Sequence, residues 1–167
     1  MKTIVLTGMM GCGKTSLGKV LGEVLNMEFI DIDFIIENTE NLSINNIFEQ
    51  KGETYFRELE KKTIKNIFKP EDQIISLGGG AFENPTTRNF LKNNALTIYL
   101  KTSSETIFNR IKTDTSRPLL SNNMNVEKIK EILNKRENNY KSAHITISTD
   151  NKTLQEITEE ITGVIEC

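Results

Sequence analysis

Ile4-Val5-Leu6 is a short apolar run with no polar alternation, the pattern of a strand buried on both faces. From Thr15 to about Asn26, Leu17, Val20, Leu21, Val24 and Leu25 recur at helical spacing, and Glu28 to Asp31 reads as a second short strand. Residues 34 to 69 read as helical, with breaks near Asn41 to Ser43 and at Gly52. The last piece carries Phe56, Leu59, Thr63, Ile64, Ile67 and Phe68 on one face and stops before Pro70. Gln73 to Leu77 is a third strand and runs into Gly78-Gly79-Gly80. Asn84 as cap and Pro85 at the first helical position start a helix that should reach about Asn93. Ala95 to Leu100 reads as a fourth strand and Ser103 to Lys112 as a helix. Residues 113–124 show no periodicity, and a polar loop of that length in a compact domain is expected to be a functional lid or an insertion. Val126 to Tyr140 is a charged helix and His144 to Ser148 a fifth, buried strand. Thr153 to Ile165 is a closing helix that Thr153 and Glu156 could open with a capping box.

Strand and helix thus alternate throughout, which predicts an α/β fold in three layers: a five-stranded parallel sheet with helices on both faces and ligands at the carboxyl ends of the strands. At 167 residues the chain is the size of one domain, expected to span 1–167. A hydrophobic share of 37% with 26% charged residues belongs to a globular chain, and the net charge of -2 argues against nucleic acid as the main partner. No stretch is long enough to span a membrane, and Met1-Lys2-Thr3 leads directly into the first strand, so a cytoplasmic protein is expected. Cys12 and Cys167 are the only cysteines, which argues against a disulfide framework or a zinc site. Lysines outnumber arginines sixteen to five, so some of Arg57, Arg88, Arg110, Arg117 and Arg136 should stand where a planar, bidentate fork is needed.

The chemistry starts at Gly8-Met9-Met10-Gly11-Cys12-Gly13-Lys14-Thr15, directly after the first strand. A glycine, four residues, then Gly-Lys-Thr between a strand and a helix is a phosphate-binding loop. Its glycines let backbone N–H groups reach phosphate oxygens, the following helix offers its positive end, Lys14 adds a mobile charge, and Thr15 can ligate Mg²⁺. Asp31 and Asp33 stand where the second strand ends beside this loop. One could hold metal-bound water and the other orient or deprotonate an alcohol; alternatively Asp33 is a helix cap and Asp31 a solvated strand end. Arg57 and Glu60 lie three apart on one helix face, so the acid can orient the guanidinium, although an ordinary exposed ion pair has the same spacing. Arg117 is either a lid residue closing over phosphate or a solvated loop arginine, and periodicity does not separate Arg136 from a solvated face. His144 reads as structural. Cys12, a thiol among backbone N–H groups beside Lys14, is either reactive or simply small enough for the loop.

Together these residues resemble shikimate kinase, a small kinase of the nucleoside-monophosphate-kinase-like class. The resemblance rests on Gly8 to Ser16, Asp31-Ile32-Asp33, Ser43-Ile44, Ile47-Phe48, Gly52-Glu53, Phe56-Arg57-Glu58-Leu59-Glu60, Gly78-Gly79-Gly80, Arg117-Pro118-Leu119-Leu120, and Arg136 with Tyr140 and Ala143. It implies the strand order 2-3-1-4-5, a substrate-binding helical segment over about 33–60, and transfer of phosphate from MgATP to the 3-hydroxyl of shikimate by a monomer. In its terms Asp33, Lys14 and Arg117 are catalytic, and Asp33, Arg57, Gly79 and Arg136 bind shikimate. Gly11, Cys12, Gly13, Lys14, Thr15, Ser16, Arg110 and Arg117 bind the nucleotide, with Lys152 a looser match to a late adenine contact. Thr15 ligates Mg²⁺ and Asp31 holds the ion through bound water, while Arg88 is left a surface residue. A kinase for gluconate or a nucleoside monophosphate is the nearest competitor. A guanine-nucleotide switch is disfavoured because Asn151-Lys152 is followed by Thr153-Leu154.

Overall fold

The computed structural model describes residues 1–112 and 124–165. Five strands, β1 Ile4–Thr7, β2 Glu28–Asp31, β3 Gln73–Ser76, β4 Leu96–Lys101 and β5 Ile145–Ser148, form one sheet in the order β2-β3-β1-β4-β5. Every pairing is parallel. This is the α/β architecture and the order expected above.

The run of apolar residues in β1 has the predicted consequence. Ile4 and Leu6 point into one core with Leu17, Leu21, Ile74, Ile98, Ile157 and Ile161, while Val5 points into the other with Ile36, Phe56, Ile64, Ile75 and Tyr99. Both faces of the central strand are therefore dry. Helices α1 Lys14–Leu25 and α7 Leu154–Ile165 supply the first core. Helices α2 Ile32–Glu40, α3 Ile44–Ile67 and α4 Pro85–Asn94 line the second, and α5 Ser104–Ile111 packs against α6 Val126–Tyr140 through Ile107, Ile111 and Ile129.

Local signals set the helix ends. Asn84 accepts from Thr87 N at 3.1 Å, and Ser43 from Asn46 N at 3.2 Å. Thr153 N donates to Glu156 Oε2 at 2.7 Å while Glu156 N donates to Thr153 Oγ1 at 3.2 Å, the reciprocal capping box. The break at Asn41 to Ser43 separates α2 from α3, and Gly52, non-helical at φ +83°, breaks α3 into two helical pieces that meet at a kink, both as expected.

β5 differs from expectation. It is an edge strand in which Ile147 alone is buried. His144 precedes it, exposed, with Nδ1 accepting from Thr97 N at 3.1 Å, so the structural role stands but the burial does not. Among the described residues no helix is long and apolar enough to cross a membrane.

Candidate active site

Between β1 and α1 the chain turns through three glycines of positive φ, Gly8, Gly11 and Gly13. Gly11 and Gly13 have φ of +77° and +101°, where a side chain would be strained. The start of α1 has no side-chain cap and no acid in its first turn, so its N–H groups and dipole are left to an external anion. Lys14 is 8% exposed, and its Nζ donates to Gly8 O at 2.9 Å and Met9 O at 3.0 Å. The ammonium rests on carbonyls of its own loop.

Next to this loop stands the carboxyl end of β2. Asp31 caps α2, with Oδ1 accepting from Phe34 N at 3.3 Å and Oδ2 accepting from the Thr15 hydroxyl at 2.7 Å. The capping role offered to Asp33 as its alternative thus falls to Asp31, and Asp33 sits in the first turn of the helix. One cleft is lined by Met10, Gly11, Gly13, Lys14, Thr15 and Ser16 together with Asp31, Asp33, Gly79 and Arg110. Loop and acids meet there.

The glycine triplet explains itself by what surrounds it. A Cβ on Gly78 would stand 2.7 Å from both Asp33 Oδ1 and Glu60 Oε1. One on Gly80 would stand 2.7 Å from Arg57 Cζ, and one on Gly79 would stand 3.1 Å from Met10 N. Three glycines therefore let two carboxylates, a guanidinium and the phosphate loop crowd against a single stretch of backbone. From the other side, α6 brings Arg136, whose Nη1 donates to Gly79 O at 3.1 Å, and Tyr140, whose hydroxyl donates to the same oxygen. Asp33, Arg57, Gly79 and Arg136 are thus neighbours although they come from four segments.

Arg57 donates to Glu60 Oε2 at 2.9 Å, and the pair is not the ordinary exposed one, because Glu60 is 2% exposed. Glu60 continues the buried stripe of Phe56 and Ile64 at intervals of four, a signal the sequence carried in plain view. Burial pushes its carboxyl up to about 7, against the pull of Arg57 and Arg136 and with a further push from Asp33. In the unfolded chain the same group titrates near 4.5, so between these values the native state holds a proton that the unfolded state has released. Stability from this group is full below about pH 4.5 and is lost as pH rises through about 7, by on the order of 3 kcal/mol. Urea unfolding of wild type and Glu60→Gln should give similar stabilities at about pH 5 and a relatively more stable variant at about pH 8. A gap between them that ignores pH would refute the burial argument.

The second half of the cleft faces α5 and α7. Arg110 Nη1 donates to Cys12 O at 3.1 Å, and a slot beside it is lined by Gly13, Ser16, Leu17, Thr149, Lys152 and Ile157. Lys152 is placed on this wall, although its Nζ pairs with Glu160. Cys12 is 2% exposed and packs in a core with Leu17 and Leu100, which agrees with the reading of a residue small enough for the loop. Arg88 is more than a surface residue, since its Nη1 holds Phe82 O at 2.7 Å and Glu83 O at 3.1 Å and so pins the turn after the glycines. Arg117, Cys167 and residues 113–123 of the expected lid lie outside the described residues.

Comparison with known proteins follows this geometry. The family model described as "Shikimate kinase" matches residues 10–166. The shikimate kinase of Sulfurihydrogenibium sp. (strain YO3AOP1) is 47% identical over 161 residues, covering 96% of this chain and 96% of that protein. Shikimate kinase from Acinetobacter baumannii, solved in complex with shikimate, superposes with a TM-score of 0.93 at 34% identity, over 99% of this chain and 93% of that one. A gluconokinase from Sinorhizobium meliloti 1021 reaches a TM-score of 0.58 at 17% identity, over 99% of this chain and 92% of the other, a likeness of fold alone.

Proposed function

This chain belongs to the shikimate kinase family, and from that premise we propose how its residues carry out the family's reaction. It is a kinase that phosphorylates shikimate at the expense of ATP; our reading places the transfer at the 3-hydroxyl. The observation that carries this reading is the pair of guanidinium groups, Arg57 and Arg136, brought from two distant helices to the glycine triplet beside Asp33 and one peptide away from the phosphate loop.

In this reading the acceptor's carboxylate is gripped by Arg57 and Arg136, because planar forks suit a carboxylate, and Gly79 offers its N–H. That grip aims a ring hydroxyl at Asp33. Asp33 lines the cleft with Lys14 and Gly79, and it is the acid placed there to orient the hydroxyl or take its proton. The phosphates of ATP lie on the loop and the start of α1, its base in the slot beside Arg110 and Thr149, and Lys14 leaves Gly8 O and Met9 O to meet the transferring group. An all-oxygen pair made of the Thr15 hydroxyl and the Asp31 carboxylate suits Mg²⁺, with Thr15 as ligand and Asp31 holding it through water; bound there, the ion would neutralise charge on the phosphates. Both half-sites come from one chain, which supports activity as a monomer. We place the protein in the cytosol, the compartment that supplies ATP.

Gluconate also bears a carboxylate, so acceptor identity rests on the family and on this pair of arginines together. Arg136→Ala is expected to weaken shikimate binding by about 10- to 100-fold while ATP binding stays within about twofold, measured by separate calorimetric titrations. Equal losses for both ligands would reject the carboxylate role.

A further inference from the structure

Gly79 O accepts from two donors at once: Arg136 Nη1 at 3.1 Å and the hydroxyl of Tyr140. The two donors differ in freedom. Arg136 is half-exposed on the charged helix α6. Tyr140 is fully buried, and its ring stacks on that of Tyr99 with centroids 5.0 Å apart and planes 22° apart. Burial pushes the Tyr140 phenol up to about 12, partly offset by Arg136, so the hydroxyl keeps its proton and remains a donor at neutral pH.

The pairing matters because of what Arg136 is proposed to do, and the inference rests on that reading. A bidentate grip on a carboxylate turns the fork of the guanidinium toward the ligand and draws it off Gly79. A carbonyl that loses its partner inside the protein is costly, and Gly79 lies against the phosphate loop, where a Cβ built on it would stand 3.1 Å from Met10 N. We propose that Tyr140 is a positioning residue that keeps the Gly79 carbonyl bonded when Arg136 turns to the acceptor, so that the acceptor half can close without disturbing the phosphate loop. The hydroxyl touches neither substrate; it acts through Gly79.

Tyr140→Phe removes one oxygen from a stacked core ring. In the unliganded protein Gly79 O keeps Arg136, so the melting temperature should fall by no more than about 3 °C. With acceptor, the KM for shikimate should rise about 5- to 20-fold, while the KM for ATP stays within about twofold. In an Arg136→Met background the pattern should invert. Tyr140 is then the side-chain donor to Gly79 O in both the empty and the occupied protein. There Tyr140→Phe should lower the melting temperature further and leave the remaining shikimate affinity nearly unchanged. A merely structural tyrosine would lower the melting temperature alike in both backgrounds and move neither KM selectively; that result would overturn the inference. An unchanged shikimate KM in Tyr140→Phe, with Arg136→Ala still weakening shikimate, would sink this inference alone. Unchanged shikimate binding in Arg136→Ala would sink the acceptor site itself.

Discussion

Asp33→Asn should reduce kcat by about 10²- to 10⁴-fold, the usual contribution of a positioned general base, and leave the KM for ATP within about twofold. The substitution keeps the size and one acceptor oxygen, so it removes basicity more than shape. Position is the reason for expecting so much: Asp31 caps α2 and accepts from the Thr15 hydroxyl. Asp33, two residues on, lines the cleft with Lys14 and Gly79 and faces the missing Cβ of Gly78. A loss of less than about tenfold in a steady-state assay would mean that Asp33 only orients the hydroxyl.

Gly78→Ala should be nearly as damaging, for a steric rather than an electronic reason. The new methyl would stand 2.7 Å from Asp33 Oδ1 and from Glu60 Oε1, closer than ordinary contacts allow. Both atoms are ends of side chains, so they give way and the fold survives, at about 1–3 kcal/mol of strain. Giving way, however, moves the acid proposed to face the hydroxyl and the acid that holds Arg57. Displacements of that size cost about 100-fold in turnover when reacting groups must stay aligned. The expected signature is therefore a fall in kcat/KM for shikimate of about 30- to 300-fold with a melting temperature lowered by only about 3–8 °C. Wild-type turnover in this variant would show that the crowding around Gly78 has no part in catalysis.

The contrast between α1 and α6 shows what the sequence could disclose. The phosphate loop is contiguous, with its glycines, lysine and threonine inside eight residues, so its pattern was legible directly. So was the all-parallel sheet, because uninterrupted apolar runs such as Ile4-Val5-Leu6 have few other uses. The acceptor half is different. Arg136 reaches Gly79 across 57 positions of chain, from a helix whose surface is mostly charged, and nothing in its own periodicity marks it. Only resemblance to a known family pointed there.

Glu60 is an intermediate case, since its place between Phe56 and Ile64 on one stripe was readable, yet a charged residue in such a stripe looks like an interruption until its partner is known. The swap of roles between Asp31 and Asp33 turned on a helix start two residues earlier than expected, at Ile32 rather than Phe34, an uncertainty inherent in reading helix ends from sequence. β5 was misjudged as buried because Ile145 and Ile147 suggest a core strand, while Thr146 and Ser148 are exposed at the sheet's edge.

The central claim is that a phosphate loop shares one cleft with Asp33 and Gly79, and that Arg57 and Arg136 beside the glycine triplet hold the acceptor, so that the protein moves phosphate from ATP to shikimate. ADP release from MgATP, followed with shikimate, with gluconate and with neither, tests it most directly. The account predicts release that depends on shikimate, saturates with it, and is at least about 100-fold slower with gluconate or without acceptor. Release that is indifferent to shikimate, or that prefers gluconate, would contradict it.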